Sequence, residues 1–145
     1  IEITPDDLET AEKAQGVTVR EGDIVLIRTG RDKRREAVST TTEDGQALAG
    51  LHPACAGWLH ERRAAVLGGD GVHDPLPGGQ RYQGWPVPIH MCALVSIGLH
   101  LLDNLWLEDL AAACAEVRRW SFLFTAAPLR IERGTGSPIN PIAIL

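Results

Sequence analysis

His52, His60, His73, His90 and His100 are the side chains best able to bind a metal or move a proton near neutral pH. No two of them form an HExxH or CxxC…H pattern, so no local signature assigns a metal. His90 differs from the rest by its setting. It opens a helical stretch after Trp85-Pro86-Val87-Pro88-Ile89, where two prolines restrict the path of the chain. Thirteen residues later Asp103 ends an apolar strand, directly before Asn104. A helix start beside a strand end can bring an imidazole and a carboxylate within a few ångströms, which is a sensible metal-ligand pair. Two ligands fall short of the roughly three that catalytic zinc takes from protein, and a capping role for each residue stands as the alternative. Asp70-Gly71-Val72-His73-Asp74-Pro75 follows the carboxyl end of another strand, where open α/β sheets collect ligands, although Asp-rich turn chemistry explains it equally well. Gly134-Thr135-Gly136-Ser137-Pro138 would let backbone approach a ligand closely, with Ser137 offering a hydroxyl. It lacks the lysine and helix of a phosphate-binding loop. His60 lies among charges on a helix, His100 reads as core or solvent, and His52 before Pro53 reads as a helix-opening residue.

These residues need a scaffold to position them. Thr4-Pro5-Asp6-Asp7 has the cap, the proline and the acidic third residue of a helix start, and Gly16 ends that helix. Leu8, Ala11 and Ala14 form its expected buried stripe. Asp23 to Gly30 reads as a strand apolar on both faces, the mark of a central strand. Residues 31–50 are polar and rich in Thr, so they read as a long surface loop. A helix from His52 to Arg63, a strand Ala65 to Asp70, and a Pro- and Gly-rich loop over 71–88 follow. A helix His90 to Ser96, a strand Leu99 to Asn104 and a helix Leu107 to Arg119 come next. Trp120 to Ala127 is a fourth strand, and the apolar tail Ile139 to Leu145 adds one more. Helices alternating with apolar strands predict an α/β layered fold with partly parallel pairing.

A chain of 145 residues is one domain. With 14 basic and 19 acidic residues its net charge is −5, which argues against nucleic acid or an anionic membrane as partner. A 44% apolar and 23% charged composition suits a globular fold rather than a disordered one. No apolar run approaches the roughly 20 residues that span a bilayer, and IEITPDDLE is not a signal peptide, so a cytoplasmic location is expected. Cys55, Cys92 and Cys114 have no CxxC spacing and sit among small apolar residues, as buried thiols in a reducing compartment do.

Four blocks, in this order, resemble the metal-dependent cyclase-like hydrolases, a family that includes bacterial kynurenine formamidase and isatin hydrolase. They are ITPDDLETAEKAQGVTVREGDIVLIRTG, GGDGVHDPLP, IHMCALVSIGLHLLDNLWLEDLA and FLFTAAPLRIERGTGSPINPIAIL, and together they cover essentially the whole chain. The resemblance implies an α/β fold of the swivelling β/β/α type. It also implies hydrolysis of an N-formyl aryl amide or cyclic amide with a zinc- or manganese-activated water. His90 stands where the family has a late histidine ligand. Asp103 stands where many members carry a glutamate, one methylene longer. Asp70, His73 and Asp74 fall in the loop near the family's pocket, and Gly136 and Ser137 are expected beside the substrate. The family's HxGTHxDxPxH motif, which carries most metal ligands and a catalytic histidine, occurs nowhere in the chain. The 145 residues therefore read as the carboxyl-terminal half of such an enzyme. An amino-terminal half is expected as a separate chain, from a split gene or a nick, and the assembly as a homo-oligomer acting on a small molecule. Two other readings are a catalytically inactive binding module and a cyclase or dehydratase acting on a polyketide-like intermediate.

Overall fold

The computed structural model describes residues 1–37, 47–76 and 82–145. Its centre is a three-stranded parallel sheet of β2 (Ile24–Ile27), β4 (Val66–Gly69) and β5 (His100–Leu102), in the order β2-β4-β5. Ile24 pairs with Val66 and Val66 with His100, so the carboxyl ends of all three strands lie at one rim. A second parallel pair joins β1 (Glu2–Ile3) to β3 (Gly50–Leu51). This is a mixed α/β architecture.

The first helix, α1 (Pro5–Gln15), forms for the reasons its sequence announces. Thr4 and Asp7 make a reciprocal capping box, with the Thr4 N–H donating to Asp7 Oδ2 at 2.8 Å, and Gly16 closes the helix at φ 65°. The carboxyl of Asp7 is held below its ordinary range by these bonds. Only Leu8 reaches the core; Ala11 and Ala14 are exposed, because α1 packs along a single line against α3 (Ala54–Glu61). The core gathers Leu8, Leu51, Cys55, Trp58, Leu59, Leu67, Ile89 and Leu99. Burial lifts the Cys55 thiol to about 11, as expected of a packing cysteine.

The strand read as central from its apolar character is an edge strand among the described residues. Ile24 is exposed and Val25, Leu26 and Ile27 are half-buried, while β4, of the same length, occupies the middle. Apolar side chains on two faces predict that both will be covered, but say nothing about which chain covers them. The surface loop expected over 31–50 is also redrawn. Arg31–Ala37 form a helix, α2, and Gly50 belongs to β3; residues 38–46 lie outside the described set.

After β4 the chain passes through the site loop into α4, a single α-helical turn (Pro88–His90) that widens into a π-helix over Met91–Ile97. Helix α5 (Glu108–Val117) follows β5. The last two strands, β6 (Leu123–Thr125) and β7 (Ile142–Ile144), pair with each other in antiparallel register and stand apart from the parallel sheet. The chain exposes 9513 Å², whereas a compact monomer of 15.7 kDa would expose about 7,300 Å². Leu94, Val95, Trp106, Leu123, Ile142 and Ile144 are each more than half exposed. Among the described residues no helix is long and apolar enough to cross a membrane.

Candidate functional site

Three loops meet at the carboxyl rim of the sheet: Thr29–Arg31 after β2, Asp70–Pro75 after β4, and Asp103–Asn104 after β5. Open α/β sheets bind ligands at such rims because side chains from neighbouring strands converge there.

Asp70 is the anchor of the rim. Its buried carboxylate accepts from the N–H groups of Thr29, Gly30 and Arg31 at 2.8–3.1 Å and from Thr29 Oγ1 at 2.8 Å. These donors include the first free N–H groups of α2, which is why a helix begins at Arg31 instead of a loop. Arg31 extends the link, its Nη1 donating to the Asp70 carbonyl at 2.8 Å and to Asn104 Oδ1. Both oxygens of Asp70 are thus committed to backbone, which leaves it a scaffold role rather than the substrate contact expected from its place in the loop.

Asp74 is fully buried and does for α4 what Asp70 does for α2. Its Oδ1 accepts from Ile89 N at 2.7 Å, and its Oδ2 accepts from His90 N at 3.3 Å and lies 2.7 Å from His90 Nδ1. A carboxylate can only accept, so Nδ1 carries the proton and Nε2 is turned to the other side. There Nε2 lies 3.1 Å from Asp103 Oδ2. A neutral Nε2 lone pair facing a carboxylate oxygen is repulsive unless a cation joins them. Burial opposes a charge on His90, but the hydrogen bonds and charges of Asp74 and Asp103 outweigh it, and its pKa is raised.

The second oxygen of Asp103 faces another imidazole. His73 Nε2 lies 3.2 Å from Asp103 Oδ1 without the alignment of a hydrogen bond. Burial holds the pKa of His73 down against the opposing pull of Asp103, so this ring is the neutral one. The two rings are 6.3 Å apart, centre to centre. The result is a chain of alternating groups, Asp74–His90–Asp103–His73, with Asp103, its most exposed member, between the two rings.

Imidazole nitrogen with carboxylate oxygen suits zinc or manganese, and the opposed bases at His90 and Asp103 fit a shared cation. Among the described residues no three His, Cys, Asp or Glu side chains are arranged to hold a metal ion. His90 and Asp103 are therefore two candidate ligands, and Asp74 fixes the ring of the first.

Of the residues singled out from sequence, His90, Asp103, His73 and Asp74 come together and Asp70 lies beside them. Gly136 and Ser137 do not join this set: Ser137 Oγ accepts from Leu129 N at 3.0 Å in an exposed loop, and among the described residues no hydrogen bond links either to the rim. Their glycine and hydroxyl chemistry shapes that loop instead. His52 caps the entrance to α3 through Nδ1, accepting from Ala54 N at 3.1 Å, while His60 and His100 are exposed. Thr29 and Arg31 escaped the sequence reading; the only signal for them was the end of a strand.

The profile of the family described as "Putative cyclase" matches residues 1–73. A crystal structure of a novel cyclase is 31% identical, with a TM-score of 0.86, and the alignment covers 100% of this chain and 47% of that one. An isatin hydrolase bound to the product analogue thioisatinate is 26% identical, with a TM-score of 0.77 and coverage of 100% and 53%. Isatin hydrolase A from Labrenzia aggregata, bound to benzyl benzoate, is 28% identical, with a TM-score of 0.75 and coverage of 99% and 53%. The chain spans about half the length of these structures. Curated protein sequences give no significant match.

Proposed function

Since the chain belongs to the cyclase family, we propose that it supplies one half of the active site of a metal-dependent hydrolase acting on an amide or lactam of the N-formyl aryl amide or cyclic amide class. The observation that carries this reading is the Asp74–His90–Asp103 array, in which a ring fixed from behind by Asp74 presents Nε2 3.1 Å from a carboxylate oxygen at the rim. His90 and Asp103 would hold a divalent ion, zinc or manganese, and the remaining ligands would come from an amino-terminal half of the enzyme. Once bound, the ion would polarise the scissile carbonyl and lower the pKa of a water toward neutrality. Asp74 keeps the His90 proton on Nδ1 and so keeps Nε2 available as a ligand. Asp70 and Arg31 hold the β2 and β5 loops together, so the rim keeps its shape. The isatin hydrolases among the similar structures support the lactam class. A cytoplasmic enzyme that assembles as a homo-oligomer of paired halves is part of the same proposal.

Native and denaturing mass spectrometry with metal analysis tests this reading on the active material. A second polypeptide carrying an HxGTHxD-type segment, with metal lost on separation, is expected. In that assembly His90→Ala should lower bound metal and hydrolysis of N-formylkynurenine or isatin together by at least tenfold, with the fold retained. A fully active His90→Ala variant ends the assignment. An assembly that holds no metal leaves an inactive member of the family.

A further inference from the structure

We infer that His73 is a positioning residue that holds the Asp103 carboxylate in place against His90. The inference deepens the reading of this site as catalytic, but its argument is steric. His73 adopts φ +60°, a left-handed conformation uncommon for any residue with a Cβ, although histidine enters it more readily than most. Its ring is almost wholly buried, and the buried Nε2 has no aligned hydrogen-bond partner. A glycine makes room for the ring: a Cβ on Gly69 would lie 2.9 Å from His73 Cε1 and 3.2 Å from Nδ1. Three unfavourable local choices therefore converge on one result, an imidazole edge 3.2 Å from Asp103 Oδ1. Backbone packing does not require the ring. The His73 carbonyl accepts from Leu51 N at 2.7 Å whatever the side chain, and glycine would suit the turn better than histidine. Strain that persists where a simpler residue would fit points to a role for the side chain.

The partner needs holding. Asp103 is the most exposed member of the array and leads into Asn104, itself at φ +57°. His90 is locked from behind by Asp74; among the described residues Asp103 is met by the two imidazoles, one at each oxygen. Removing His73 would free the carboxylate to turn toward solvent, and Nε2 of His90 would lose its neighbour.

Imidazole ¹⁵N NMR on the 145-residue chain tests this with three variants. His73→Gly relieves the backbone, so its melting temperature should equal or exceed that of the wild type while the His90 Nε2 resonance moves. Gly69→Ala should displace the His73 ring and move the same resonance with His73 still present. His73→Gln places a side-chain amide at the reach of the imidazole Nε2, so it should return the resonance toward the wild-type position. Because glutamine carries no ring, that rescue separates a hold on Asp103 from a change in ring-current shielding. A His90 resonance unmoved in both His73→Gly and Gly69→Ala overturns the inference, as does a glutamine variant indistinguishable from the glycine one. In the assembled enzyme kcat should fall at least tenfold in His73→Gly with KM little changed. If the wild-type assembly hydrolyses no amide, the proposed function fails, and the NMR result still decides the role of His73.

Discussion

The carboxyl rim and the C-terminal ribbon are built on opposite terms. At the rim, two buried carboxylates of the β4 loop accept backbone N–H groups at the starts of α2 and α4, and the Arg31 side chain carries the link on to Asn104 after β5. The backbone donors to the two carboxylates are held by the chain itself, and charge-assisted bonds of this kind are roughly twice as strong as neutral ones. In the ribbon, β6 and β7 form a two-stranded sheet of their own, and Leu123, Ile142 and Ile144 point apolar surface at solvent. A lone two-stranded hairpin is marginal in water at best. The rim thus carries its own means of holding shape, and the ribbon has the character of an element that other protein surface must cover.

The largest effect should come from the anchor of the rim. Asp70→Ala strands the N–H groups of Thr29, Gly30 and Arg31 without their acceptor, and should cost about 3–5 kcal/mol of stability by urea denaturation. A loss below about 1 kcal/mol would mean that water replaces the carboxylate easily and that the rim is no firmer than the ribbon. Next, Leu67→Ala, at a fully buried position in β4, should cost about 2–5 kcal/mol. Leu123→Ala in β6 should change stability of the chain by no more than about 0.5 kcal/mol. Similar costs at the two positions would erase the contrast. Between these two lies the capping box, where Thr4→Ala should cost about 1 kcal/mol. The pH dependence there has a definite sign. Native Asp7 titrates below its ordinary value of 3.8, so its contribution is complete above that value and is lost as pH falls through the lowered native one. Melting curves of Asp7→Asn should therefore lack the part of the wild type's acid sensitivity that Asp7 supplies.

Legibility followed sequence separation. Thr4, Asp7 and Gly16 act within a few residues of one another, and the helix they delimit could be read directly. His90 and Asp103, thirteen apart, could be paired because a helix start and a strand end are local events whose adjacency a parallel sheet makes common. Asp70 lies 41 residues from Thr29, and nothing in DGVHDP distinguishes a carboxylate that gathers backbone N–H groups from one that meets a substrate. The glycine and serine of the 134–138 turn pose the same ambiguity, since their chemistry serves their own loop as well as it would serve a ligand.

The sequence by itself determined the alternation of helices and strands, the caps of α1, and the pair His90 and Asp103, because each rests on periodicity or on short-range hydrogen bonding. Only the tertiary structure decided that β4 and not β2 is the central strand, that Asp70 is committed to α2, and that His73 closes the array at Asp103. Those outcomes depend on which surfaces meet. An apolar strand or a buried carboxylate states what it needs covered, and the identity of the cover is settled only when distant parts of the chain pack together.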